Sequence, residues 1–230
     1  MKKISGIKAI SFDGDQTLWD FQRVMRHSLR YALAALKEAD PAAAARLDID
    51  KMIEIRNRVA DELKGKATNL EAVRLEAFKA TLVEAGRPDD DLAAHLNDVY
   101  LRHRFEDIEL YEDVLPALNE LKKRYSLGLL SNGNSYPERC GLEGMFHFIV
   151  FSQDCGIEKP DPLFYCIAIE RAGCTEEELL HVGDSLENDV IGAAVAGIRS
   201  VWLNRDNVSA DPAIKVDYEI RSLSELPELL

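Results

Sequence analysis

The chain is 230 residues long, 47% hydrophobic and 30% charged. That length and mix fit a globular protein with a proper core, either one large domain or a domain carrying a substantial insert. Its 28 Lys and Arg against 41 Asp and Glu give a formal net charge of −13, which repels phosphodiester backbones and argues against non-specific nucleic-acid binding.

A small anionic substrate stays compatible with that charge, because a metal ion and one or two local cations can reverse the field inside a cleft. No apolar run approaches the ~18 residues that span a bilayer. The opening MKKISGIKAISF lacks the long apolar stretch and small-residue cleavage site of a secretory signal. A cytoplasmic protein without membrane association is therefore expected. Cys140, Cys155, Cys166 and Cys174 show no CxxC pairing and no interleaved His at zinc-finger spacing, so free thiols in a reducing compartment are expected. Oligomeric state is left open.

Ile7 to Phe12 is apolar apart from Lys8 and Ser11 and predicts a first strand, ending in the polar run Asp13-Gly14-Asp15-Gln16-Thr17. From about Trp19 to Ile108 the pattern is helical. Met25, Leu29, Leu33 and Leu36 make one apolar stripe, broken at Pro41. Met52, Ile55, Val59 and Leu63 mark a second helix ending at Gly65. Thr68-Asn69 offers an N-cap for a third, with Leu70, Val73, Phe78 and Leu82, closing at Gly86. Pro88 opens a fourth, with Leu92, Leu96, Val99 and Tyr100. Four consecutive helices with short connections predict a small bundle.

Beyond residue 108 the pattern alternates. A helix from Val114 to Arg124 leads to a strand from Leu127 to Leu130 that ends in Ser131-Asn132-Gly133. Phe146 to Phe151 predicts another strand, followed by a helix after Pro162. Leu179 to Val182 is a short strand ending in Gly183-Asp184, and a helix through Ala194 leads to a strand from Ser200 to Leu203. This βα rhythm predicts a parallel sheet with helices on both faces. The first strand must join that sheet, since a lone strand cannot stand. Residues 1–18 and 109–230 therefore read as one α/β core domain, and residues 19–108 as a helical domain inserted into it.

In open α/β sheets, ligands bind beyond the carboxyl ends of the strands, near the point where strand order reverses. Three predicted strands end in residues suited to chemistry: Asp13 and Asp15, Ser131 and Asn132, and Asp184. Asp189 follows five residues after Asp184, at the start of the next helix. Folding is thus expected to bring four carboxylates to one edge of the sheet. Two like charges ~4 Å apart repel by about 4 kcal/mol at an effective dielectric of ~20, so either some acids are protonated or a cation sits among them. The candidate ligands are all hard oxygens, which favours magnesium over zinc. Each Asp alone would also suit a helix cap or a turn; four gathered beyond the ends of strands fit that reading poorly.

Phe12-Asp13-Gly14-Asp15-Gln16-Thr17-Leu18 resembles the Asp-x-Asp-x-Thr/Val signature of the haloacid dehalogenase-like (HAD) superfamily. Ser131 after an apolar strand, Lys159 in Glu158-Lys159-Pro160-Asp161-Pro162, and the segment Gly183-Asp184-Ser185-Leu186-Glu187-Asn188-Asp189 are similar to its other signatures, in order along nearly the whole chain. The resemblance implies a Rossmann-like, doubly wound core with an inserted helical cap of the C1 type, and a phosphatase or nucleotidase-like branch. It implies that Asp13 is the nucleophile, forming an aspartyl-phosphate. Asp15 would protonate the leaving oxygen and then deprotonate the hydrolytic water. Magnesium would be held by Asp13, Asp15 (through its backbone carbonyl) and Asp184, with Asp189 in support. Lys159 and the hydroxyl of Ser131 would contact phosphate, with Asn132 and the backbone N–H groups there assisting. The family's dehalogenases lack an acid at the Asp15 position, because halide needs no proton on leaving.

Other features invite weaker readings. Gly128 to Ser135 nearly fits a P-loop, but Asn134 replaces the phosphate-binding lysine. His95 and His103, eight apart on a helix with Asp98 and Glu106 nearby, suit a solvated face better than a zinc site. His181 within a strand reads as packed, and Asp89-Asp90-Asp91 as a helix start favoured by the dipole. In the helical insert, Phe21, Arg23, Arg26, His27, Arg30 and Arg74 are candidates for recognising an anionic or ring-bearing leaving group, although most such cations face water. The expected function is Mg-dependent hydrolysis of small-metabolite phosphomonoesters, such as nucleotide or sugar phosphates. A HAD-type phosphomutase and a non-catalytic phosphate-binding module are the alternatives.

Overall fold

The computed structural model describes residues 3–63 and 69–230. These form two compact units, one containing Asp20 and the residues before it together with Glu109–Leu230, the other Phe21–Ile108. In the first, β1 (Ala9–Phe12) opens the sheet. The second unit holds α1 (Phe21–Ala39), the one-turn α2 (Pro41–Ala44), α3 (Ile49–Leu63), α4 (Leu70–Glu84) and α5 (Asp90–Glu106). The chain then returns to the first unit with α6 (Val114–Leu121), β2 (Ser126–Ser131), β3 (Phe148–Phe151), α7 (Ser152–Cys155), α8 (Pro162–Ala172) and β4 (Leu179–Gly183). A π-helical turn (Leu186–Ile191) runs into α9 (Gly192–Val195), and β5 (Arg199–Leu203), β6 (Glu219–Ile220) and α10 (Leu226–Leu229) complete the fold.

The sheet is parallel throughout, in the order β3-β2-β1-β4-β5-β6. Its strands read as near-continuous apolar runs because helices cover them. Ala9, Leu130, Val150, Phe164, Tyr165 and Ala193 belong to one such buried cluster, which joins the sheet to α8 and α9. Strand order reverses at β1, whose neighbours are β2 and β4. Phe12 stands opposite Leu129 of β2 and Val182 of β4, and those two strands end just beyond, at Ser131 and Gly183. β6 is two residues long, too short to announce itself in the sequence. The helix expected after Asp184 begins instead as the π-helical turn, a form associated with functional sites.

The helical unit has its own core. Met25, Leu29, Ala32 and Leu36 of α1, Met52 and Ile55 of α3, Phe78 and Leu82 of α4, and Leu96 and Tyr100 of α5 form one buried cluster. Asp40 caps α2 by accepting from the N–H groups of Ala42 and Ala43, so Pro41 starts a short helical turn as well as ending α1. Asn69 caps α4 and Asp89 caps α5 in the same way. Gly65 and Thr68, expected at the ends of two helices, lie outside the described residues. α1 starts at Phe21, two residues later than the pattern suggests, because Trp19 is fully buried in the first unit and pairs through its backbone with Leu110. Among the described residues no helix is long and apolar enough to cross a membrane. All four cysteines are free thiols.

One polar node ties the first unit together at a distance from the sheet. The Asp113 carboxylate accepts a bidentate pair from Arg205 at 2.9 and 3.0 Å, the hydroxyl of Ser222 at 2.8 Å and the N–H of Leu223 at 2.8 Å. Arg205 stacks 4.0 Å from the Tyr111 ring centroid and also donates to the carbonyl of Thr17 at 2.9 Å. Burial alone would push the Asp113 pKa up, but Arg205, Ser222 and Leu223 outweigh it and hold the carboxyl below its ordinary value. A depressed folded pKa gives stability that is complete above the unfolded value of about 3.9 and is lost as pH falls through the folded one. Asp113→Asn is therefore expected to cost about 2 kcal/mol at pH 7. In urea denaturation the gap to the wild type should narrow steadily below about pH 4; a gap that ignores pH would contradict this account.

Candidate active site

The candidate site gathers where β1 and β4 end, at the reversal in strand order. Asp13 follows β1 directly, and its N–H is held by the carbonyl of Val182 at 2.8 Å. Asp184 follows β4, and Asp189 lies in the π-helical turn after it. Carboxylate oxygens of Asp13, Asp184 and Asp189 all lie within 4.8 Å of one another. Lys159 closes the group: its Nζ donates to Asp13 Oδ1 at 2.6 Å and to Asp189 Oδ1 at 2.7 Å, with 2% of its side chain exposed.

Each member has a local reason for its position. Asp189 also accepts from His181 Nε2 at 3.0 Å and from the N–H of Ser185 at 2.9 Å. His181 sits wholly buried within β4, with Nδ1 2.9 Å from Ser11 Oγ. A neutral ring protonated at Nε2 satisfies both bonds, donating to Asp189 and accepting from Ser11. Asp189 packs over Gly183 so closely that a Cβ there would stand 2.2 Å from its carboxyl carbon. That close approach explains the glycine before Asp184. Thr17 donates to Asp184 Oδ1 at 3.3 Å, and Trp202 Nε1 donates to the Asp184 carbonyl at 2.7 Å.

The remaining residues read from the sequence divide between the site and its supports. Asp15 lies at the same edge of the sheet, its side chain apart from the three clustered carboxylates. It accepts from Trp19 Nε1 at 2.7 Å and lies beside the Ser131 loop, where a Cβ on Gly133 would stand 3.0 Å from Asp15 Oδ2 and 3.2 Å from Ser131 Oγ. Ser131 is buried and accepts from the N–H of Gly133 at 2.9 Å. The side chain of Asn132, expected among the phosphate contacts, is bonded at both ends to the Lys159 backbone, donating to its carbonyl at 2.9 Å and accepting from its N–H at 2.8 Å. It therefore positions the lysine.

Electrostatically the cluster is unbalanced. Asp189 is held well below the ordinary carboxylate range: burial opposes its charge, but Lys159 and His181 overcome that. Burial likewise works against the Lys159 ammonium, and Asp13 and Asp189 hold its pKa above the usual value. His181 is pushed down by burial and stays neutral at pH 7. The excess negative charge falls on the other two acids. Asp13 is driven well above its ordinary value by burial, with Lys159 opposing and Asp189 and Asp184 adding to the rise. Asp184 is pushed up to about 7 by burial and by Asp189. Three carboxylates against one ammonium leave a deficit of positive charge that a divalent cation would supply, and an all-oxygen donor set suits a hard ion such as magnesium. The residues present fit that group.

The helical unit holds cations that sequence reasoning only partly found. The guanidinium carbons of Arg104 and Arg56 lie 4.7 and 5.6 Å from the Phe21 ring centroid, and that of Arg74 lies 5.7 Å from the Tyr100 centroid. Leu29, Met52, Arg56, Arg74, Phe78 and Tyr100 are among the residues lining a cavity of about 10 Å³. Arg104 is 1% exposed; its place one turn after Tyr100, on the same face as Ala93 and Leu96, was the available signal. Of the other candidates, Arg26 pairs with Asp50 at 2.6 Å, His27 with Asp107 at 2.9 Å, and Arg23 and Arg30 are exposed.

Residues 7–197 match the family described as haloacid dehalogenase-like hydrolase. The chain is 27% identical over 240 residues to the 5-amino-6-(5-phospho-D-ribitylamino)uracil phosphatase YigB of Escherichia coli, covering 100% of this chain and 98% of the relative. Among solved structures, a 2-haloacid dehalogenase from Pseudomonas syringae superposes with a TM-score of 0.82 at 33% identity, over 97% of both chains. The HAD-hydrolase YfnB of Bacillus subtilis, solved bound to magnesium, superposes with a TM-score of 0.74 at 30% identity, over 97% of this chain and 98% of that one. The family match runs from β1 through α9, most of the sequence, and this chain accordingly belongs to the haloacid dehalogenase-like hydrolases.

Proposed function

We propose that this chain is a phosphatase that hydrolyses small phosphorylated metabolites, with magnesium as cofactor and Asp13 as nucleophile. The observation that carries the reading is the pairing of Asp13 with Lys159 at 2.6 Å, beside a second acid, Asp15, at the Ser131 loop. The reading treats residues 1–18 and 109–230 as the catalytic core and residues 19–108 as the inserted cap. Asp13, Asp184 and the Asp15 carbonyl would hold magnesium, with Asp189 supporting them. When bound, the ion offsets the charge of the phosphate dianion and polarises its oxygens.

The protein's own groups account for the rest. An Asp13 carboxylate oxygen forms a bond to phosphorus as the bond from phosphorus to the leaving oxygen breaks, giving an aspartyl-phosphate. Asp15 donates a proton to that leaving oxygen, then takes one from the water that attacks the phosphoryl group, releasing inorganic phosphate and regenerating Asp13. Lys159 offers its ammonium to a phosphate oxygen, and Asn132 fixes the lysine's backbone for that task. Ser131 accepts from Gly133, which turns its own hydroxyl proton toward substrate. His181 and Ser185 hold Asp189 in place.

The similarity to a 2-haloacid dehalogenase favours a second reading, halide displacement by Asp13. Asp15 separates the two. A halide departs without a proton, whereas an alkoxide needs an acid within reach. With magnesium and a panel of nucleotides, sugar phosphates, phosphoglycolate, an aryl phosphate and 2-haloacids, steady release of inorganic phosphate is expected. Halide release without phosphate release would refute the proposal.

Two variants test the roles. Asp13→Asn is expected to lower kcat about 10³-fold or more; activity persisting near the wild-type level would remove Asp13 as nucleophile. Asp15→Asn is expected to lose about 10²- to 10⁴-fold with alkyl phosphates and distinctly less with an aryl phosphate, whose leaving group needs little protonation. Equal losses across leaving groups would count against the acid role.

A further inference from the structure

We propose that His27, His103 and Asp107 form a binding site for a zinc-class divalent ion within the helical unit, built from residues other than the clustered aspartates. His27 comes from α1, His103 from the last turn of α5, and Asp107 follows that helix as its C-terminal cap. Nε2 of His27 lies 2.9 Å from Asp107 Oδ2, and Nδ1 of His103 lies 2.7 Å from the same oxygen. The three potential ligand atoms all fall within 4.8 Å of one another.

The ligand chemistry distinguishes this site from the acidic one. Two imidazole nitrogens and one carboxylate oxygen suit zinc and its neighbours, and three protein ligands leave a fourth position open. Zinc binds such atoms at about 2.0–2.2 Å, which sets tetrahedral ligands about 3.3 Å apart. The Asp107 oxygen therefore needs to withdraw from each ring by only about half an ångström.

The rings are held in advance of any ion. Tyr31 stacks on His103 with centroids 3.6 Å apart and an interplanar angle of 11°, and meets His27 edge-on at 5.0 Å. His103 and Asp107 are spaced i, i+4, so the end of α5 presents both on one face. The side chains are 38%, 21% and 37% exposed for His27, His103 and Asp107, which lets an ion enter from solvent. His95 is exposed on the same helix, and the partner of His103 is a histidine from another helix, a pairing no spacing along α5 could reveal.

The test is a cobalt titration of the full-length protein in excess magnesium, which occupies the oxygen site. One equivalent of cobalt is expected to bind with the visible absorption of a four- or five-coordinate, nitrogen-containing site, and zinc should displace it. His27→Gln, His103→Gln and Asp107→Asn should each weaken cobalt binding at least about tenfold, while His95→Gln leaves it unchanged. Circular dichroism establishes which variants are folded, and any one folded variant suffices. Unchanged affinity in those variants, absorption typical of cobalt–thiolate bonding, or no binding under excess magnesium would each overturn the proposal and leave a hydrogen-bonded cluster joining α1 to α5.

Discussion

An ammonium group with 2% of its side chain exposed stands between Asp13 and Asp189, and much of the first unit is arranged to keep it there. Removing a lysine and two carboxylates from water costs several kcal/mol per ion, which is recovered only when the geometry is close and the remaining bonding capacity is filled. The fold meets both conditions. Asn132 clamps the Lys159 backbone from the β2 side of the sheet, and His181 and Ser185 fill the remaining positions on Asp189 from the β4 side. Gly183 leaves the space into which Asp189 packs. The lysine is thus fixed from both sides of β1.

This arrangement compensates one carboxylate well and the others poorly. Asp189 takes most of the available donors and stays ionised, whereas Asp13 and Asp184 carry the unpaid repulsion. Under the proposed function, these two would be the nucleophile and a metal ligand, in a site whose charge is completed by what binds there. A site that bound nothing would gain by replacing one of these acids with a neutral residue.

Much of this could be read from residue order, and the part that could not has a physical reason. Asp13, Ser131 and Asp184 were legible because each interrupts an apolar strand, and a parallel sheet aligns strand ends. Lys159 stood out through the prolines beside it. Asp15 was expected at the same edge, but the bond its carboxylate accepts from the Trp19 indole was not foreseen; the direction of a side chain leaving a tight turn is not encoded in spacing. His181 was read as packed and is buried, but its bond to Asp189 and those of Asn132 to the Lys159 backbone link residues 8 and 27 positions apart, which spacing does not reveal. Arg104 was hidden by the assumption that arginine faces water, although its helical phase already put it on the buried face.

The region matched by the family ends at residue 197, but Arg205 lies beyond it. That guanidinium reaches back to the carbonyl of Thr17, four residues after Asp13, while gripping Asp113 with its other bonds. The tail also supplies β5, β6 and the Trp202 indole that holds the carbonyl of Asp184. A shortened chain could retain every signature residue and still lose the brace on the loops that follow β1 and β4. The arrangement of these loops therefore depends on a segment that carries none of the family's recognisable marks.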